Sequence, residues 1–443
     1  MKRFVALFCA LMLTLSLLAS CGTRNDDKDK DSDGKIVLKV AVLESAYGKK
    51  MWEDVAAAYE ADHTDVKIEL TAEKNLEDVI GSKMKSGDYP DVVHLATGRE
   101  AGLTETMIRE NSLADISDIL DEKVFGEDVS VKDKLIEGFT DTAATHPYDD
   151  DSMYMAPMFY GPCGLFYNAG LFAEKKWTVP TTWDEMWELG QKAEAEGIAL
   201  FTYPTAGYFD SLMFALLCET GGVEFYNDCM RYKEGVWEDK NAREALDIVA
   251  RLASYTEPTT VANANNDNYL KNQQLILDNK ALFMPSGTWV VGEMADAPRS
   301  EGFEWGFMAL PAIDSDSDRY SYTYFEQIWV PENAKHQDEA KDFIAYLYTD
   351  KAVKIFAEAG AIQPIQGVSE ILEGENKLFY SIYDTGAKPV LGGFAATDPV
   401  EGVSMTDTLF GTVNSIVSGD KTVDEWQNAI KKASDSLRKA LKK

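Results

Sequence analysis

Between residues 36 and 95 the apolar positions change period repeatedly, and the changes mark out elements. IVLKVAVL (Ile36–Leu43) reads as a strand and MWEDVAAAYEA beyond it as a helical-period segment. VKIEL, LEDVIGSKMKSG and DVVHL, the last placed after Pro90, then read as strand, helix and strand. That order predicts a βαβαβ unit, which implies a parallel sheet. MYMAPMFY and GLFYN predict two short strands split by Gly161 and Pro162. TTWDEMWELGQKAEAEG follows, with Thr182 and Glu185 spaced as a capping box before a periodic helix. Further helices are expected over Ala242–Tyr255, Glu339–Tyr348 and Val423–Leu441, the last opened by Thr422 and Glu425 at the same spacing. Strands are expected over Lys280–Pro285, Gly306–Pro311 and Tyr324–Val330. Elements alternate through two long stretches and the sheet signal is renewed late. The expected fold class is therefore α/β, with two lobes between which the chain crosses more than once.

The N-terminus has a different pattern. Lys2 and Arg3 precede FVALFCALMLTLSLL, an apolar run of about fifteen residues, long enough for a signal-peptide core and short for a bilayer span. Small residues Ala19 and Ser20 before Cys21 suit a cleavage site, so residues 1–20 are expected to be an export signal. Gly22 to Lys35, GTRNDDKDKDSDGK, holds no apolar residue and is expected to be a solvated linker. Asp29, Asp31, Asp33 and Gly34 imitate the start of a calcium loop, but Val40 stands where the closing Glu belongs. Asp314, Asp316 and Asp318 fail similarly, with Arg319 at the position of the turn glycine, so no metal site is expected.

Charge and cysteine content narrow the classes. Loss of the leader removes only Lys2 and Arg3 from 43 basic residues against 75 acidic ones, leaving the mature chain more negative than the full-length net of -32. Such a field repels nucleic acid phosphates and anionic lipid headgroups, so nucleic acid is not an expected partner. With 45% hydrophobic and 11% aromatic residues over 443 positions, there is material for a real core. After Cys21 only Cys163, Cys218 and Cys229 remain, an odd number that rules out a fully paired disulfide scaffold while leaving a Cys218–Cys229 bridge open.

Candidate chemistry is sparse. His63, His94, His146 and His336 are widely separated, and the chain contains no HExxH, GxSxG, GxxxxGK[ST] or strand-following GxGxxG pattern. A two-carboxylate glycosidase stays formally open, because it needs no linear motif. Aromatic residues beside turn glycines are the stronger signal: Tyr160 in FYGPCG, Tyr203, Tyr208 and Phe209 in YPTAGYFD, and Trp289 in PSGTWVVGEM. A ring after a glycine-rich turn is well placed to face a cleft, where it stacks on the apolar face of a sugar. Ligands of open α/β lobes bind beyond the C-terminal ends of the strands, which adds Glu44 and Tyr47 from ESAYG and Arg99 from ATGRE as polar contacts.

PMFYGPCGLFYNAGLFAE (Pro157–Glu174) is similar to the signature of the family 1 extracellular solute-binding proteins of carbohydrate ABC importers, around the core Leu165, Phe166, Tyr167 and Asn168. The order GDYPDVV, signature, PTTWDEMWELGQKAEAEG, AGYFDSLMFALLCETGG, FMPSGTW and GFMALP follows that family over most of the mature chain. LASC resembles the lipobox of bacterial lipoproteins, in which the cysteine after the cut, here Cys21, receives lipid.

The resemblance implies a two-lobe periplasmic-binding-protein-like fold with hinge crossings and a ligand cleft. Residues 36–155 plus 312–355 would form one lobe and 156–311 plus 356–443 the other, with crossings near 154–160, 308–312 and 350–360. It also implies that Trp289 and Tyr208 stack on sugar, that Arg99 lies in a sugar-contacting loop, and that the chain is a monomeric binding protein without cofactor, not an enzyme. Lipid on Cys21 would hold it at the extracytoplasmic face of the cell membrane, beside the permease subunits that take the sugar or oligosaccharide. The alternatives are a lipid-anchored glycan-cleaving enzyme, or the same binding fold with a peptide, polyamine or chelated metal as ligand.

Overall fold

The computed structural model describes residues 32–441 apart from 46, 98, 100, 141, 143, 149, 266 and 396. The expected export signal, Cys21 and residues 22–31 of the linker lie outside the described residues.

Strands β1 (Ile36–Leu43), β2 (Val66–Glu73) and β3 (Val92–His94) form the expected βαβαβ unit in the spatial order β2-β1-β3, all parallel. The alternation along β1 explains how both faces are covered. Leu38, Val40 and Val42 point to the side where helix Lys50–Asp62 lays down Trp52, Val55 and Tyr59, while Ala41 joins Leu76, Ile80 and Met84 of helix Leu76–Met84 on the other.

Two long antiparallel strands join the two ends of the sheet. β4 (Met155–Asn168) runs without a break through Gly161 and Pro162, where the sequence pattern had suggested two strands. The reason is its partner: β8 (Arg319–Trp329) pairs with β4 from Met155↔Trp329 to Pro162↔Thr323, and this non-local ladder overrides the local turn signal. A register shift between Pro157 and Phe159 bends β4 where Pro157 lacks an N–H. The end of β8 lies against β3 through Val93↔Trp329. The second half of β4 instead pairs with β6 (Ala281–Gly287) and β7 (Trp305–Met308), β6 carries β5 (Ala199–Phe201), and the start of β8 pairs with β9 (Ala387–Val390). The result is a nine-stranded mixed sheet whose two ends are separate α/β layers sharing the β4–β8 ribbon.

The second layer is covered by helix Phe209–Met230, which packs with helices Lys240–Ser254 and Val423–Lys439 around Leu212, Leu216, Trp237, Leu246, Val249, Trp426 and Ile430. Burying each of the larger side chains contributes roughly 1.5–3 kcal/mol. Gly222 at φ 80 kinks the long helix. Thr422 and Glu425 close a full reciprocal capping box. Thr182 caps Glu185 N–H as expected, but the Glu185 carboxylate reaches back to Thr181, so that box is displaced by one residue. Cys218 and Cys229 sit on the same long helix as free, buried thiols, and Cys163 is free and buried on β4.

Candidate functional site at the shared strands

β8 lies inside the sheet, with β3 and β4 as neighbours, yet Tyr324 in its middle is 49% exposed. An aromatic on a central strand reaches solvent only where nothing covers that face. Its partner across the ladder is Gly161, where a Cβ would meet nothing closer than Thr288 Oγ1 at 3.6 Å. The floor of a cleft therefore opens at Gly161 and Tyr324. By the two-residue period of a strand, Tyr322 and Glu326 belong to the same face.

On the side of β1 and β3, Glu326 is buried at 7% exposure, with its Oε2 3.1 Å from Nε2 of His94, which is 1% exposed. Trp52 and Phe159 pack on the imidazole with ring centroids 5.0 Å and 5.2 Å away. Tyr47, in the loop after β1, sets its ring edge-on to Phe159 at 5.9 Å, and burial followed by the charge of Glu326 pushes its hydroxyl well up. Arg99, in the loop after β3, holds Glu77 with Nε on Oε1 and Nη2 on Oε2 at 3.3 Å. The Glu77 bond raises the guanidinium above its ordinary value, and Tyr324 and Glu326 add to the effect. Glu44 is half-buried at the end of β1, its backbone N–H on the Glu73 carbonyl at 3.0 Å.

On the opposite side, Trp289 is 41% exposed and its Nε1 donates to the Tyr208 hydroxyl at 3.2 Å, the two rings meeting edge to face with centroids 6.1 Å apart. The indole lies across Gly287, where an added Cβ would fall 2.0 Å from the ring. Glycine there is what lets the ring fold back over the strand end. Burial raises the Tyr208 hydroxyl to about 12 against the opposing Trp289 bond. Two residues on, Asp210 in the first turn of helix Phe209–Met230 accepts the Ser211 N–H at 2.5 Å. Burial pushes its carboxyl up to about 6, and its charge bears on Cys163, Tyr208 and Tyr322.

Tyr47 and Arg99 are thus gathered about Glu326 and Tyr324, and Tyr208 is joined to Trp289. Tyr160 is removed from the cleft, a correction to the sequence reading. It is 2% exposed among the rings of Phe139, Tyr380 and Tyr383, because FYGPCG is strand and not turn, and its side chain points to the covered face. Tyr203 and Phe209 are buried too, Tyr203 donating to Asn414 Oδ1 at 2.7 Å. The sequence reading passed over Tyr324, Glu326, His94 and Asp210. Asp210 alone had a local signal, an acid at the head of the apolar helix that follows AGYF. Among the described residues no group of three or more His, Cys, Asp or Glu side chains is placed to hold a metal.

The pattern shared by the family described as bacterial extracellular solute-binding protein matches residues 54–375. The chain belongs to that family. The match runs from the first helix through both shared strands. Among curated relatives, this binding protein is 20% identical over 364 residues to the diacetylchitobiose binding protein NgcE of Streptomyces coelicolor, covering 77% of this chain and 76% of that one. It is 22% identical over 376 residues to the multiple sugar-binding protein of Streptococcus mutans, covering 81% of each. In three dimensions it matches apo RafE from Streptococcus pneumoniae at a TM-score of 0.67 and 18% identity, over 92% of this chain and 100% of that one. The fold is accordingly the two-lobe α/β architecture of the solute-binding proteins.

Proposed function

We propose that this solute-binding protein takes a sugar or oligosaccharide into the cleft between its lobes and delivers it to the permease of an ABC importer. The observation that carries the reading is the exposed Trp289 ring, fixed by its bond to the Tyr208 hydroxyl, beside a floor that presents the equally exposed Tyr324. Flat rings, with the Arg99 guanidinium acting on Tyr324, suit a ring molecule with one apolar face and a polyhydroxyl rim. The relatives named for diacetylchitobiose and for multiple sugars support the same class. A positively charged cargo would call for several cleft carboxylates with few rings, and the aromatic pair argues against it.

The lobes in this reading are residues 36–155 plus 312–355 and residues 156–311 plus 356–443, and a ligand touching both favours closure by its differential affinity for the closed form. Cys21 carries the lipid that holds the monomer at the extracytoplasmic face of the membrane. The linker raises its effective concentration at the permease, so weak docking suffices. No step of chemistry is done on the sugar.

A thermal-shift screen against mono- and oligosaccharides, including diacetylchitobiose, maltotriose and raffinose, tests this reading. Binding to the folded state adds about 2.7 kcal/mol at a hundredfold excess over Kd. A shift with one sugar family, lost in Trp289→Ala and with the sugar recovered unchanged, is the expected result. Silence across the sugars, a shift from a polyamine or peptide instead, or breakdown of the sugar would overturn it.

A further inference from the structure

We propose that Glu326 is a carboxylate that accepts hydrogen bonds from the hydroxyls of the bound sugar, and that His94 beneath it is a positioning residue that fixes the carboxylate at the opening beside Tyr324. The inference rests on the sugar-binding reading above and assigns two residues to that same site.

Strand pairing places both residues. His94 of β3 stands opposite Ile328 of β8, while Glu326 and Tyr324 of β8 stand opposite Phe159 and Gly161 of β4. Side chains alternate along a strand, so Tyr324, Glu326 and Ile328 share one face of the sheet with Gly161, Phe159 and His94. Along that face Ile328 is fully buried, Glu326 is 7% exposed and Tyr324 is 49% exposed. Glu326 therefore stands where the covered part of the face gives way to the open part, one place inward of the exposed ring.

The surroundings leave the carboxylate short of donors. Phe159, its partner across the ladder, packs with Trp52 and Phe356 at ring centroids of 5.8 Å and 5.0 Å, and Trp52 and Phe159 both lie against the His94 imidazole. Oε2 of Glu326 comes within 3.1 Å of His94 Nε2, the ion-pair contact of this carboxylate among the described residues. That approach does not make a hydrogen bond: Oε2, both imidazole nitrogens and the Trp52 indole nitrogen are all buried without a partner.

A purely structural ion pair is a poor account of this arrangement. Burying a charge is offset only when its lone pairs are satisfied, and an aliphatic side chain among Trp52, Phe159 and Phe356 would pack without that cost. A buried acceptor left unsatisfied in a folded protein calls for a reason outside the fold, and a ligand supplies one. The accessible 9% of the Glu326 side chain belongs to the face on which Tyr324 opens. Around the same opening stand donors: the hydroxyls of Tyr47 and Tyr324, raised first by burial and then by the charge of Glu326, and the guanidinium of Arg99. A sugar hydroxyl both donates and accepts, so it can give its proton to the carboxylate and receive one from a phenol or guanidinium. A carboxylate alone would suit any donor; set among these groups it suits a polyhydroxyl rim.

Isothermal titration calorimetry on the purified protein and its variants tests this, using whichever of diacetylchitobiose, maltotriose or raffinose gives the largest thermal shift. Glu326→Gln keeps the shape of the side chain and is expected to bind at least about tenfold more weakly, the scale of a hydrogen bond to a charged group, with its circular dichroism unchanged. His94→Phe keeps the ring packing and should weaken binding in the wild-type background, yet add no further loss in Glu326→Gln. His94→Gln, which restores a polar group at that position, should recover part of the affinity. Equal affinity in Glu326→Gln would overturn the assignment of the carboxylate, and losses that simply add in the double variant would overturn the role of His94, in both cases leaving sugar binding intact. Crystals of the wild type with the same sugar decide the matter even if a variant folds poorly. A sugar hydroxyl within about 3 Å of the Glu326 carboxylate is expected, and a sugar that keeps every hydroxyl beyond that reach would overturn the proposal. Failure of the wild type to bind any sugar would overturn both this inference and the reading beneath it.

Discussion

Gly161 and Tyr324 are direct partners in the β4–β8 ladder, and the absence of a side chain on the first is what leaves the ring of the second standing open at 49% exposure. The pair lies on the β4–β8 ribbon that joins the two ends of the sheet. Substituting the glycine should therefore separate binding from folding. Gly161→Ala meets only Thr288 Oγ1 at 3.6 Å, an ordinary contact, and should leave stability and affinity nearly unchanged. Gly161→Leu fills the space beside Tyr324, and sugar affinity should fall at least about tenfold relative to Gly161→Ala. Calorimetry and thermal melts on the two variants check this.

Gly287 gives a sharper test of the Trp289 platform. A Cβ at that position falls 2.0 Å from the indole, so Gly287→Ala must displace the ring without altering its chemistry. Gly287→Ala and Trp289→Ala should then weaken sugar binding alike. Tyr208→Phe, which removes only the acceptor of one hydrogen bond, should cost about 0.5–1.5 kcal/mol of binding. Retained affinity in Gly287→Ala would mean that Trp289 is not where the sugar rests.

Asp210 makes a prediction about stability as well. Its carboxyl is raised by burial from 3.8 to about 6, so the folded state holds this proton more tightly than the unfolded chain does. Sign follows from linkage: stability from this group is greatest below about pH 4, declines as pH rises through 6, and is lower by about 3 kcal/mol above that. Asp210→Asn removes the ionisation. Without ligand it should raise Tm at pH 8 and leave it nearly unchanged at pH 4. Equal Tm for both proteins at pH 8 would contradict the burial argument.

The C-terminal helix supplies a control remote from the cleft. Thr422→Ala breaks the capping box with Glu425 and should destabilise the protein by about 1 kcal/mol, read from urea midpoints, with no change in sugar affinity.

Local periodicity carried much of this structure. Ile36–Leu43 and the helices behind it were legible because alternation and helical spacing are properties of neighbouring residues, and Thr422 announced its helix by the same logic. The unbroken β4 was not legible, since Gly161 and Pro162 read locally as a turn and only β8, far along the chain, holds them extended. That one difference moved Tyr160 from cleft to core. The chemistry of the site was hidden for the same reason. His94 meets Glu326 and Tyr324 faces Gly161 only through strand pairing, which no local window reports. Trp289 and Tyr208 were visible as rings near glycines, but the bond between them needed the fold.

The most direct measurement is a crystal structure of the protein with the sugar that stabilises it most. The account predicts a sugar ring lying flat on Trp289 and Tyr324 covered beneath the ligand. A sugar bound outside the space between Trp289 and Tyr324, or one that leaves both rings exposed to solvent, would contradict it.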